Sequence, residues 1–154
     1  IGAYAELQNM RQQNTFTFNV KMDNSLDITK CFLLTILLQP LIENAIIHGI
    51  TPLKEKGVIN LVIQKKDNNL ILKVEDNGVG RKESARLKKA RKGVMHKSYA
   101  NQIMKERIDI FNYLQESKTN FYMEDLYPNE KYTGTRSTLT MPFRDKKIGI
   151  LNKI

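Results

Sequence analysis

Three short stretches of this 154-residue chain contain residue types that could do chemistry, and their order matters more than any one of them. In Gln39 to Gly49, QPLIENAIIHG, Asn44 and His48 stand four apart, so a helix puts both on one face with Glu43 beside them. The amide oxygen of Asn44 is a hard ligand suited to Mg2+, which keeps several waters and takes its remaining ligands from phosphates. In Glu75 to Gly80, EDNGVG, Asp76 is an acceptor-only carboxylate directly after a strand pattern. It can accept a hydrogen bond from an exocyclic amine such as adenine N6. Gly78 and Gly80 permit positive φ and close backbone approach, and can hinge the segment after them. In Gly134 to Pro142, GTRSTLTMP, Gly134 and Thr135 open a last strand. Each stretch also has a plain reading: the polar side of a helix, a D-N-G turn, and a strand-opening turn. Neither G-x-G-x-x-G nor G-x-x-x-x-G-K occurs here, which excludes Rossmann and P-loop sites.

The surrounding pattern supplies elements to hold these residues. Ala3 to Gln12 reads as a short helix, and Phe16, Phe18 and Val20 alternate with polar residues as a half-buried strand does. Thr35 to His48 reads as a helix capped by Thr35, with Pro40 in its first turn and Gly49 ending it. Leu37, Leu38, Leu41, Ile42, Ala45 and Ile46 form its apolar face. Gly57 to Gln64 and Leu70 to Glu75 flank Asp67-Asn68-Asn69 and predict a hairpin. Arg81 to Lys97 predicts a mobile basic loop with a helical piece. Tyr99 to Gln115 predicts a helix whose face is Ile103, Arg107, Ile110, Phe111 and Leu114. Asn120 to Leu126 and Thr133 to Pro142 predict closing strands. These elements make an α+β two-layer sandwich, its sheet mixed but mostly antiparallel, with helices on one face.

Composition narrows the class. Hydrophobic types make up 41% of the chain and charged types 27%, which suits one soluble domain with a real core. The longest apolar run, Phe32 to Leu38, is far short of the ~20 residues of a bilayer span. Ile1 to Arg11 lacks the basic start and apolar stretch of a signal peptide. Cys31 stands alone, and with only His48 and His96 besides, disulfide frameworks and structural zinc are excluded in favour of a reduced, cytosolic setting. The net charge of +9 is local, because Arg81 to Lys97 holds eight basic residues against Glu83. No aromatic residue interleaves those cations, so nucleic acid is disfavoured as a partner.

Together, the three stretches resemble the N, G1 and G3 boxes of the GHKL superfamily of ATP-binding domains, which includes gyrases and histidine kinases. The string QPLIENAIIHG is similar to the N box of LytS-like sensor histidine kinases, which reads close to QPLVENAIKHG. The resemblance runs from Tyr4 to Pro142 and implies a Bergerat-type fold, with ATP and Mg2+ as cofactors between the N-box helix and a lid. It implies that Asn44 coordinates the metal, that Asp76 accepts from adenine N6 with a water shared by Thr135, and that Gly78, Gly80 and Gly134 shape the pocket. Glu43 and His48 then lie near the reaction, Glu43 in an orienting role and His48 near the phosphates. Residues 14–143 become the catalytic domain, with its lid at about 78–98, 1–13 the end of a dimerisation or linker helix, and 144–154 a tail. The departures are specific. Pro40 stands where hydrolysing members place a general base, Ile47 where LytS-like kinases carry lysine, and Ser98-Tyr99-Ala100-Asn101 where the lid ends in G-x-G-L. No phosphoacceptor histidine string is present. The implied partners are therefore a histidine elsewhere in a longer, homodimeric, membrane-anchored kinase and a response regulator, with this domain in the cytoplasm. A pseudokinase or nucleotide-sensing module is the alternative.

Overall fold

The computed structural model describes residues 2–13, 15–24, 26, 32–92, 99–115 and 118–143. Alternation in the sequence becomes one sheet of five strands: β1 (Phe16–Met22), β2 (Gly57–Lys66), β3 (Asn69–Asp76), β4 (Asn120–Glu124) and β5 (Thr135–Pro142). Their order is β1-β2-β3-β5-β4, with β1 parallel to β2 and every other pair antiparallel. The register lines up buried side chains across the middle strands. Leu61 stands opposite Val74, Ile63 opposite Leu72, and Leu72 opposite Leu139. A slip of one residue would turn this whole apolar set to solvent, so the pattern pins the register. The other face mixes polar residues with Val58, Val62, Ile71 and Tyr122, and Asn19, Asn60, Glu75, Arg136 and Glu124 fall in one row across all five strands. Asn19 Nδ2 donates to Asn60 Oδ1 at 2.9 Å, and Arg136 donates to Glu75 at 2.6 Å and to Glu124 at 3.3 Å. The hairpin turn is Asp67-Asn68, one residue shorter than the sequence predicts, because Asn69 already pairs with Lys66.

Among the described residues four α-helices accompany the sheet: α1 (Gly2–Arg11), α2 (Phe32–Asn44), α3 (Gly80–Lys92) and α4 (Tyr99–Gln115). The predicted face of α2 is buried as expected, from Leu37 to Ile46. Its ends differ from the prediction. The helix begins at Phe32, so Pro40 lies inside it and not in its first turn. Proline has no N–H, and the Ile36 carbonyl four residues back loses its intrahelical donor. Arg107 of α4 takes that place, its Nη1 donating to the Ile36 oxygen at 2.8 Å. Nor does Gly49 end the helix. The chain winds on through Ala45–Ile50 as a π-helical segment, closed by Thr51 N–H donating to the Ile46 carbonyl five residues back at 2.8 Å. Such wide turns are rare and concentrate at functional sites.

Among the described side chains of α4 the buried stripe is Met104, Ile108 and Phe111, whereas Ile103 and Ile110, predicted inward, are exposed, and the predicted Leu114 lies outside the described side chains. Packing against α2 sets that rotation. With α2 and the π segment on β2 and β3, and α4 on α2, the molecule is the predicted two-layer α+β sandwich. Residues 80–92 form α3, so the helical piece expected in the basic segment takes up most of it. The rest of that segment, with His96 and Ser98, lies outside the described residues, as do Cys31 and the tail at 144–154. Among the described residues no helix is long and apolar enough to cross a membrane.

Candidate functional site

Asp76, the last residue of β3, is 4% exposed and points to the core face between Ile59 and Thr135 of the neighbouring strands. Gly78 N–H donates to its Oδ1 at 2.9 Å, and the Thr135 N–H also donates to the carboxylate. Burial pushes its pKa up to about 7, and the two N–H donors offset only part of that rise. An ionised carboxylate offers about four lone-pair sites, so two donors leave room for a further one.

Backbone encloses this carboxylate on three sides. A Cβ on Gly49 would lie 2.6 Å from Asp76 Oδ1, and one on Gly78 would strike the backbone of Gly49. Val79 N–H donates to the Gly49 carbonyl and Gly134 N–H to the Gly78 carbonyl, both at 3.1 Å. The π segment, the β3–α3 turn and the start of β5 are thus laced together around Asp76. Gly134 sits at φ 55 with its Cβ position against the Asp76 carbonyl, and Gly80 turns the chain into α3 at φ 81 beside Thr133. Both conformations are costly for any other residue. Asn77 faces away, its Oδ1 accepting from Val58 N–H at 2.7 Å. Asn77 N–H donates to the Val58 carbonyl at 3.2 Å, extending the ladder past Asp76.

The N-box residues divide. Asn44 ends α2 half-buried, and its side chain makes no capping hydrogen bond to the adjoining π segment. Glu43 turns toward α1, its Oε1 accepting from the Tyr4 hydroxyl at 2.8 Å and from Gln39 Nε2 at 2.9 Å. His48 is half-buried in the π segment. Burial lowers its pKa, with Lys88 of α3 adding to the effect, so the imidazole is neutral at pH 7. His48 follows Asn44 by four residues within the π segment that begins at Ala45. Arg81 ties the start of α3 to the β4–β5 connection, donating to Asp125 Oδ1 at 2.8 Å and to the Met123 carbonyl at 3.2 Å.

No family model matches the chain. Over 112 residues, 73% of its length, it is 30% identical to the sensor histidine kinase YpdA of Escherichia coli. Over 82 residues it is 35% identical to the sensor protein LytS of Oceanobacillus iheyensis. It spans 18% and 14% of those proteins, less than a fifth of the length of each. In three dimensions it is similar to the histidine kinase domain of a blue-light-activated kinase from Erythrobacter litoralis. That match has a TM-score of 0.61 at 16% identity and covers 99% of this chain and 63% of that one. The catalytic domain of the histidine kinase ThkA matches with a TM-score of 0.56 at 18% identity, covering 90% and 87%. The chain is similar in sequence to sensor histidine kinases and has the fold of histidine kinase catalytic domains.

Within this histidine-kinase fold, the structure brings Asp76, Gly78, Gly134 and Thr135 into contact, with Gly80 at the adjoining turn, and adds Gly49, which the sequence suggested only as a helix stop. Helix stops and close backbone approaches both call for glycine, so the residue type alone does not separate them. Tyr4, Asn77, Lys88 and Arg107 also bear on the site and left no local signal, since each acts on a partner distant in sequence. Among the described residues no three His, Cys, Asp or Glu side chains converge to hold a metal. The single hard oxygen of Asn44 suits a cation that brings phosphate oxygens with it.

Proposed function

We propose that this domain binds Mg2+-ATP between the α2–π segment and α3, and transfers the γ-phosphoryl to a histidine outside these residues. The observation carrying this reading is the buried Asp76 carboxylate, packed against Gly49, bonded by the Gly78 and Thr135 N–H groups, and with acceptor capacity to spare. An amino-purine N6–H satisfies that acceptor, whereas a 6-oxo purine presents a lone pair to a lone pair. Thr135 contributes its N–H to Asp76 and its hydroxyl to a shared water, while Gly78, Gly80 and Gly134 shape the pocket by letting backbone segments approach closely. Asn44 holds Mg2+, Glu43 orients the end of α2, and neutral His48 can donate one hydrogen bond to a phosphate without adding charge. When bound, Mg2+ neutralises polyphosphate charge, and positioning does the rest of the work. The cations of α3 draw the nucleotide in, an attraction that salt weakens. With Pro40 at the general-base position, water activation by that route is absent, which favours transfer over hydrolysis. In this reading, residues 14–143 are the catalytic domain, with its lid at 78–98, and residues 1–13 end a linker helix. The parent is a homodimeric, membrane-anchored kinase that phosphorylates its own histidine and then a response regulator, and this domain, cytoplasmic, is inactive alone.

A second reading, a pseudokinase, rests on Ile47. It is 53% exposed on the π segment where LytS-like kinases carry a phosphate-contacting lysine. Thermal unfolding with and without Mg2+ and a non-hydrolysable ATP analogue separates the two. At ligand near 100 times Kd, stability rises by about 2.7 kcal/mol, or roughly 5–10 °C for a chain of this size. A Mg2+-dependent rise that Asp76→Asn abolishes supports the proposal; no shift at millimolar nucleotide selects the pseudokinase.

A further inference from the structure

The hydrogen bonds around Glu43 connect α2 to α1 and not to the Asp76 pocket. The Tyr4 hydroxyl and Gln39 Nε2 donate to the same Glu43 oxygen, at 2.8 and 2.9 Å. Gln8, one turn along α1, donates to the Tyr4 oxygen at 3.2 Å. Gln8, Tyr4, Glu43 and Gln39 therefore form a continuous polar chain between helices whose linked residues, Tyr4 and Glu43, are 39 positions apart. The seat of α1 is otherwise small, with the partly buried Tyr4 ring packed against the core. Ala5 is fully buried, and Asn9 brackets Phe16, donating to its carbonyl at 2.8 Å and accepting from its N–H at 3.2 Å. Leu7 and Met10 are 61% and 69% exposed and add little burial. A helix held by a few polar contacts is cheap to displace, and a shift of roughly 1 Å takes a 2.8 Å hydrogen bond out of range.

We infer that Tyr4 is a positioning residue. By holding Glu43 it sets the place of the adjacent Asn44, so the metal end of the nucleotide site follows the seating of α1 on α2. This rests on the proposed function above. When α1 sits as described, Glu43 is engaged by two donors and cannot swing toward Asn44. When α1 shifts, Glu43 loses its Tyr4 donor and the end of α2 loses a restraint. Displacement of α1 by an upstream segment of a longer protein would thus alter metal-dependent binding without any change at Asp76.

The test measures the affinity of the chain for a non-hydrolysable ATP analogue in Mg2+ and in EDTA, for wild type, Tyr4→Phe, Glu43→Ala and the double variant. Tyr4→Phe keeps the ring and removes only the donor. Loss of one hydrogen bond to a carboxylate predicts about 3–10-fold weaker binding in Mg2+, and an unchanged affinity in EDTA. In the Glu43→Ala background, Tyr4→Phe adds no further loss. A lower Tm for Tyr4→Phe with intact Mg2+-dependent affinity, or equal losses in Mg2+ and EDTA, makes Tyr4 merely structural and overturns the inference. So does full additivity in the double variant. A wild-type chain that binds no nucleotide defeats the proposed function and the inference with it. A wild type that binds in Mg2+ alongside a Tyr4→Phe variant that binds identically defeats the inference alone.

Discussion

Pro40 and Arg107 offer a quantitative test of how α2 tolerates an interior proline. The structure assigns the orphaned Ile36 carbonyl to Arg107 Nη1, at 2.8 Å. A bond from a charged donor contributes about 1.5–3 kcal/mol when buried. Ile36 is 38% exposed, so water recovers part of the loss. Arg107→Met keeps the aliphatic stem, and its expected cost is about 1 kcal/mol, a fall in Tm of roughly 2–4 °C. Pro40→Ala restores a backbone N–H at position 40, which can bond Ile36 directly. Interior proline is about 3 kcal/mol worse than alanine in a helix, so Pro40→Ala is expected to stabilise, by up to that amount. In the Pro40→Ala background Arg107→Met should cost close to nothing, giving a coupling of about 1 kcal/mol in the double-mutant cycle. Urea unfolding followed by circular dichroism, with an unchanged m value, measures all four variants. An Arg107→Met cost that is the same in both backgrounds refutes the assignment, because the arginine would then be serving something other than the proline's missing donor.

Asp76 has its pKa raised from 3.8 to about 7 by burial. Between those values the unfolded chain has released a proton that the folded chain still holds, so stability should fall as pH rises from about 4 to about 7. The loss is up to about 4 kcal/mol, and urea unfolding across that range should show it in wild type but not in Asp76→Asn. If adenine N6 donates to the ionised carboxylate, nucleotide affinity weakens as pH drops below about 7. Binding then releases protons, read by calorimetry in buffers of different ionisation enthalpy; pH-independent binding would refute that role. Gly134→Ala forces a Cβ against the Asp76 carbonyl at a positive φ. It should cost at least about 1–3 kcal/mol and remove the nucleotide-dependent rise in Tm; a fully stable variant that still binds contradicts the close packing. Arg81→Ala breaks an exposed ion pair with Asp125, worth about 0–1 kcal/mol. Global stability should barely move while hydrogen exchange at the start of α3 speeds up, and unchanged exchange would show that Arg81 does not hold that end.

Much of this domain is legible in one dimension because its signals are local. Two apolar runs flanking Asp67-Asn68-Asn69 predict the β2–β3 hairpin, and the apolar spacing from Leu37 to Ile46 predicts the buried face of α2; both hold. The order of QPLIENAIIHG, EDNGVG and GTRSTLTMP carries the resemblance to histidine kinases, since spacing along a chain survives divergence in the residues between. Tertiary structure decided what depends on partners far apart in sequence. Pro40 reads as a first-turn residue until Arg107, on another helix, supplies the donor that its ring lacks. Gly49 reads as a stop until Asp76 is packed against it and the chain winds on as a π turn. The face of α4 is set by its contact with α2, so helical spacing alone misplaced Ile103 and Ile110. Glu43 belongs to the N box by sequence and to α1 by hydrogen bond. Periodicity is a property of neighbours along the chain, whereas burial, proton affinity and the filling of an empty hydrogen bond are properties of neighbours in space, and only the fold assigns those.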